Sequence, residues 1–166
     1  MTKQKGFSLI ELLIVVAIIL IIAAIAIPNL LRSRIAANEA SAVGSVRSLN
    51  TAQVTYSTTY GIGYTSLAQL GGAAPCVASA ATACLIDPVL TAGTKSGYTV
   101  TTVANNGAGT VLSPFLGFEV NATRISASTG NRSFCADQSG VIRYNITGAA
   151  IGTGLGACAA VATILQ

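Results

Sequence analysis

The sequence predicts an α+β fold: a long kinked amino-terminal helix, half of it membrane-spanning, laid by its carboxy-terminal half on a small antiparallel sheet of about four strands. Three observations carry this. An almost unbroken apolar run, Phe7–Ile27, covers about 32 Å at the helical rise, close to the ~30 Å hydrocarbon core of a bilayer. A stripe of core-type residues at helical spacing continues from Ile35 to Tyr60. After residue 96, short β-patterned segments alternate with turn compositions. The chain then divides into a basic leader (1–6), a transmembrane half-helix (7–28), an amphipathic half-helix (29–60), a connecting loop (61–95), the sheet (96–147) and a tail (148–166).

The apolar run carries one carboxylate, Glu11, near its start. An acid at the centre of a spanning helix costs about 2.5–3.5 kcal/mol on insertion scales, and less near an end. A plain anchor would gain by losing Glu11, so a partner cation is expected. The nearest source is the α-ammonium created if the chain is cut before Phe7, four residues away in sequence. A conventional secretory signal would have a shorter apolar region and would leave Glu11 unexplained, although Ala24-Ile25-Ala26 offers a cleavage site of the right kind. A plain signal anchor leaves the same acid unexplained. Lys3 and Lys5 before the span are matched by Arg32 and Arg34 after it, so basic-residue bias does not set orientation.

Pro28 removes one helical hydrogen bond and clashes with the preceding turn, which predicts a kink, or else a fresh helix starting there. The stripe Ile35, Ala42, Val46, Leu49, Gln53, Tyr56 and Tyr60 favours one kinked helix from Phe7 to Tyr60. Glu39 and Ser45 fall off that face. Gly61-Ile62-Gly63 ends the helix, and 61–95 has little periodicity. Strands are expected over Gly97–Val103, Leu116–Ala122, Ser133–Ala136 and Val141–Asn145. Asn105-Asn106-Gly107 and Asp137–Gly140 are turn candidates. The Gly- and Ala-rich tail, anchored only by Cys158, takes no assignment.

Lys3-Gln4-Lys5-Gly6-Phe7-Ser8-Leu9-Ile10-Glu11-Leu12, with the aliphatic run and Pro28 behind it, resembles the signature of type IV pilins and the related pseudopilins. Thr129–Phe134 and Asp137–Arg143 are similar to the late hairpin of small bacterial pilins. The resemblance implies a pilin fold, with residues 1–6 as a prepilin leader cut between Gly6 and Phe7. It implies N-methylation of Phe7 by the prepilin peptidase/N-methyltransferase, and a salt bridge between that terminus and Glu11 of an adjacent subunit. It further implies a helical homo-oligomeric filament raised by an inner-membrane assembly platform with a cytoplasmic ATPase. The precursor would sit in inner-membrane lipid and the product would be an extracellular pilus on the cell surface. The expected function is major pilin, serving adhesion, twitching motility or DNA uptake. The alternatives are a type II secretion pseudopilin or minor pilin, and a monomeric membrane-anchored extracytoplasmic binding domain.

Four cysteines and no histidine exclude zinc-finger and CxxC redox spacings and point to disulfides in an oxidising compartment. Of the three pairings, the local one is expected: Cys76 with Cys84, and Cys135 with Cys158. The second would contribute about 3–4 kcal/mol in the chain-entropy view, and is placed like the carboxy-terminal disulfide of pilins.

Charge is sparse, 8% of residues, which suits a subunit packing against its own copies. The net +4 includes Lys3 and Lys5; without them seven basic side chains face five acidic ones, a net +2. The basic residues are scattered, so any nucleic-acid contact would be incidental. Asp87, Glu119 and Asp137 are isolated in sequence and read as turn and surface residues, and no nucleophile elbow or phosphate loop occurs. No enzyme activity, cofactor or metal is expected. No aromatic occurs between Phe7 and Tyr56, which argues against an electron-carrying core. Three sequons begin at Asn121, Asn131 and Asn145, a number chance explains in so Ser/Thr/Asn-rich a chain.

Overall fold

A computed structural model describes residues 7–73, 75–105, 109–152 and 154–165. The chain forms two compact units, Met1–Arg34 and Ile35–Gln166. Helix α1 spans Leu9–Tyr60 and contributes to both, running through Pro28 without an interruption in its span. A separate helix beginning at Pro28 is therefore not what forms.

In the first unit, α1 begins at Leu9 rather than Phe7, with Ser8 immediately before it at the N-cap position. The Ser8 carbonyl accepts from the Leu12 N–H at 3.3 Å, closing the first turn. This stretch is one helix long and apolar enough to cross a membrane.

The second unit is α+β. Ala42, Val46, Leu49, Ala52 and Tyr56 of α1 are buried against a five-stranded antiparallel meander ordered β1 to β5. Its strands are β1 (Thr94–Lys95), β2 (Tyr98–Asn105), β3 (Gly117–Arg124), β4 (Ser133–Asp137) and β5 (Ile142–Asn145). The register Val100↔Ala122↔Phe134↔Tyr144 puts one row from each long strand on the helix side. With Tyr98, Phe118, Val120, Ala136 and Ile142, these residues complete a single core. Gln53 sits fully buried in the stripe because its amide exchanges two hydrogen bonds with the Thr65 backbone, at 2.6 and 2.9 Å.

The fifth strand, β1, is the departure from an expected four. It has only two residues, too few for an alternating pattern to register. It pairs with β2 through a two-residue turn in which Ser96 and Gly97 both hold positive φ, 50° and 75°. That geometry matches the right-handed strand twist. Of the turn candidate Asn105-Asn106-Gly107, Asn105 ends β2 opposite Gly117, and the other two lie outside the described residues.

The helix stops at Gly61, whose φ of +69° lets its N–H close on the Ser57 carbonyl. The connector holds two single-turn helices, α2 (Leu67–Leu70) and α3 (Pro88–Thr91), which bury Leu70 and Leu90. Asp87 caps α3 by accepting from the Leu90 N–H at 2.7 Å. That bond, followed by the Lys95 ammonium, holds its carboxyl below the usual range. Asp87→Ala is expected to lower the stability of this unit by about 1 kcal/mol, read as a small drop in thermal midpoint.

The tail is held by more than Cys158. Ile164 bridges Arg143, the Tyr144 N–H donates to Thr163 and the Leu165 N–H to Ile142, so the chain end lies along the free edge of β5. The cysteines pair as Cys76–Cys84 and Cys135–Cys158, with Cα separations of 6.1 and 5.7 Å.

Candidate functional site

The apolar stretch of α1 has nothing of its own unit to cover it. Phe7 is 81% exposed, and every large aliphatic side chain from Leu9 to Leu31 is exposed as well. So much contiguous apolar surface is untenable in water and calls for lipid or other protein.

Within that surface, Glu11 Oε2 accepts the Ser8 N–H at 3.0 Å. With Ser8 as N-cap, Glu11 stands at the third helical position, and this bond is the carboxylate half of a capping box. The pattern Ser8-Leu-Ile-Glu11 announces this arrangement, and sequence reasoning passed over it in favour of the charge. A negative carboxylate in the first turn is also favoured by the helix dipole. Glu11 is thus partly satisfied within one chain, through one of its two oxygens. Gly6 lies outside the described residues. The Phe7 nitrogen is an amide in the uncut chain, so the ammonium that would face Glu11 exists only after cleavage.

The second unit contains an ion pair that sequence reasoning missed. Glu39, expected off the buried face, is only 7% exposed. Its Oε2 accepts from Arg132 Nε at 2.8 Å and from a terminal guanidinium nitrogen at 2.7 Å. Its Oε1 accepts the Asn131 N–H at 2.8 Å and the Arg132 N–H at 3.2 Å. Burial pushes the Glu39 carboxyl up, but the Asn131 N–H and the Arg132 side chain outweigh it and hold it below the ordinary carboxylate value. The Arg132 guanidinium lies over the rings of Phe134 and Tyr144, at 5.5 and 5.1 Å. The Tyr98 hydroxyl donates to the Arg132 carbonyl at 2.8 Å, and its pKa is pushed up to about 12 by burial and then by Glu39. Asn38 adds a bond to the Thr129 carbonyl at 2.9 Å. Helix and β3–β4 loop are therefore tied at one charged point. The signal was present in the stripe: its one double step, between Ile35 and Ala42, is filled by Glu39. Ser45, also expected off the face, is buried with its hydroxyl donating back to the Ser41 carbonyl.

Asp87 has the turn role expected of it, but Glu119 and Asp137 do not lie on the surface. Glu119 is fully buried on β3 and accepts the Cys158 N–H at 3.0 Å; Asp137 is buried and takes the Ser139 N–H at 2.8 Å. Of the three sequons, Asn121 is buried within β3 and closed to modification in the folded chain.

Comparison with known proteins bears on the amino-terminal part. A family model described as the prokaryotic N-terminal methylation motif matches residues 1–27. The chain is 64% identical over 39 residues to the type IV wide pilus major component PilA4 of Thermus thermophilus, covering 24% of this chain and 30% of that protein. It is 46% identical over 54 residues to the type IV major pilin protein PilA of Myxococcus xanthus, covering 32% of this chain and 24% of that protein. The chain thus spans less than a third of the length of either relative. No solved structure matches it.

Proposed function

We infer that this chain, whose amino-terminal segment carries the methylation motif and resembles those of type IV pilins, is the structural subunit of a type IV pilus, in the role of major pilin. One observation carries the reading. A fully exposed, bilayer-length apolar helix holds a single acid, four residues beyond a Gly6–Phe7 bond in a matched methylation motif.

Before cleavage the run Phe7–Ile27 holds the precursor in the inner membrane. Cleavage after Gly6 by a prepilin peptidase frees the Phe7 nitrogen, which the same enzyme methylates. In the filament that ammonium pairs with Glu11 of an adjacent subunit. At an effective dielectric of about 20, a pair at 4 Å attracts by roughly 4 kcal/mol before desolvation, enough to offset an acid buried among aliphatic side chains. The pair sets axial register, and the exposed aliphatic faces supply most of the packing free energy. Pro28 gives a weak point where the helix can bend as it leaves the bilayer. Assembly draws on a membrane platform and a cytoplasmic ATPase, and the filament on the cell surface serves adhesion, motility or DNA uptake.

The direct test is electron microscopy of sheared surface material with peptide identification. This chain is expected as the dominant component of thin filaments, beginning at Phe7. Its absence from fibres, or its presence as a monomer in membranes alone, would remove the proposal. Replacing Gly6 by a bulky residue is expected to leave a precursor six residues heavier, and intact-mass measurement of a normally trimmed product would refute the cleavage site.

A further inference from the structure

The two disulfides differ in how far a reagent can reach them, and the filament reading makes no use of the difference. Cys135 and Cys158 are both 0% exposed and pack with Ile151 in a small cluster of their own. Cys76 is exposed and Cys84 half-buried, and every residue from Pro75 to Thr82 is exposed as well. The Cys76 sulfur lies against Gly72, where a side chain would collide with it, so bare main chain is what backs it on the protein side. The loop this bridge closes is also the shorter, its cysteines 8 positions apart against 23, and closing it restrains less of the unfolded chain.

The backbone holds the two ends of the exposed bridge unequally. The N–H groups of Ala83, Cys84 and Leu85 donate to the carbonyls of Gln69, Gly71 and Leu70 at 2.7, 3.1 and 2.8 Å, which fixes Cys84 to the body of the unit. Within that grip Cys84 has a φ of +56°, a left-handed conformation that strains a residue carrying a Cβ. Between Cys76 and Ala83 the described bonds are otherwise internal, joining Ser79 to Thr82 and Thr82 to Val77. The one described tie from this stretch to the rest of the unit is the Tyr56 hydroxyl, which donates to the Ala80 carbonyl at 2.6 Å. Cys76 is therefore the loosely held end of the bridge and Cys84 the fixed one.

We propose that Cys76–Cys84 is a reversible attachment site for low-molecular-weight thiols of the surrounding medium, opened by attack on the Cys76 sulfur while Cys135–Cys158 stays closed. The incoming thiolate forms a bond to Cys76 Sγ. The Cys76–Cys84 bond breaks, and its electron pair leaves on Cys84 Sγ, which takes up the proton that the small thiol lost. One disulfide is exchanged for another, with no net oxidation or reduction. Because its backbone bonds keep Cys84 in place, its thiolate can later attack the mixed disulfide, expel the small thiol and reclose the loop. Exposed and strained bridges are the labile ones in such exchange, and a bridge that a thiol cannot reach resists it. The inference rests on the second unit alone and stands or falls separately from the filament reading.

The test uses the full chain in detergent micelles without denaturant, with reduced glutathione as the probe. Samples are quenched at intervals with N-ethylmaleimide and mapped by peptide mass. Early samples are expected to carry glutathione on Cys76 and maleimide on Cys84, with Cys135–Cys158 intact and slower to open by at least about tenfold. Amide exchange across residues 77–82 should rise as the bridge opens, while β2 to β4 keep their protection. Removing the glutathione under mild oxidant should restore the original bridge. Opening of both disulfides at one rate would overturn the proposal, and so would resistance of both until denaturant is added. Glutathione found on Cys84 rather than Cys76 would overturn the assigned direction of attack. Loss of protection throughout the sheet would do the same for the site as a whole, since the thiol would then be acting on an unfolded chain.

Discussion

Glu11→Gln is expected to insert into the membrane as the unsubstituted chain does, and to lower the yield of sheared fibres at least tenfold. The glutamine keeps the length and one acceptor oxygen of the side chain, so it can still accept the Ser8 N–H. What it loses is the charge. A pair worth roughly 4 kcal/mol before desolvation need retain only about 1.4 kcal/mol of net value for its loss to shift assembly tenfold. Glu11→Val removes both the charge and the bond to the Ser8 N–H, and one such hydrogen bond is worth about 1 kcal/mol. The two variants therefore separate two jobs that one carboxylate could hold. Fibre mass relative to the membrane pool, measured by immunoblot, is the readout. Normal fibres from glutamine with few from valine would make Glu11 a helix cap and end the pairing hypothesis. Normal fibres from both would leave the carboxylate with no role in assembly.

The value of that contrast shows how differently the parts of this chain announce themselves. The helix is legible over Leu9–Ile27 because the run is continuously apolar and of bilayer length, and over Ile35–Tyr60 because burial on the sheet demands the helical period; β2 to β5 are legible because strand pattern and turn residues agree. Glu39 was misread because a charged residue is normally a solvated one. Only the Arg132 guanidinium and two backbone N–H groups, from residues remote in sequence, make its burial tolerable. Glu119 was misread for the same reason, its covering layer coming from the Gly- and Ala-rich tail, where pattern has little to act on. β1 escaped notice because pairing with β2, rather than its own two residues, makes it a strand. Sequence periodicity reports which face is buried. It does not report which polar residues find a partner once there.

Arg132→Ala tests that last point most severely. It should cost about 3 kcal/mol, at the lower end of the range for breaking a buried pair because the arginine side chain is still 36% exposed. The loss has three parts: two charge-assisted hydrogen bonds, the contact with the Phe134 and Tyr144 rings, and the stranding of Glu39 with only backbone donors. Arg132→Lys should recover less than half of it, since an ammonium cannot present two nitrogens to one oxygen and lie flat over two rings. Thermal melting of the full chain in micelles, followed by near-ultraviolet dichroism, would measure both. The pH dependence carries an independent sign. The Glu39 carboxyl is held below its ordinary value of 4.5 in the folded chain. Its contribution is therefore complete above about pH 4.5 and is lost as the pH falls further, through the lowered folded value, because the unfolded chain takes up the proton first. The unsubstituted chain should lose stability more steeply below that point than Glu39→Gln, whose side chain has no proton to gain. Parallel acid profiles for the two would mean that the pair does not hold the helix to the loop, however close its atoms lie.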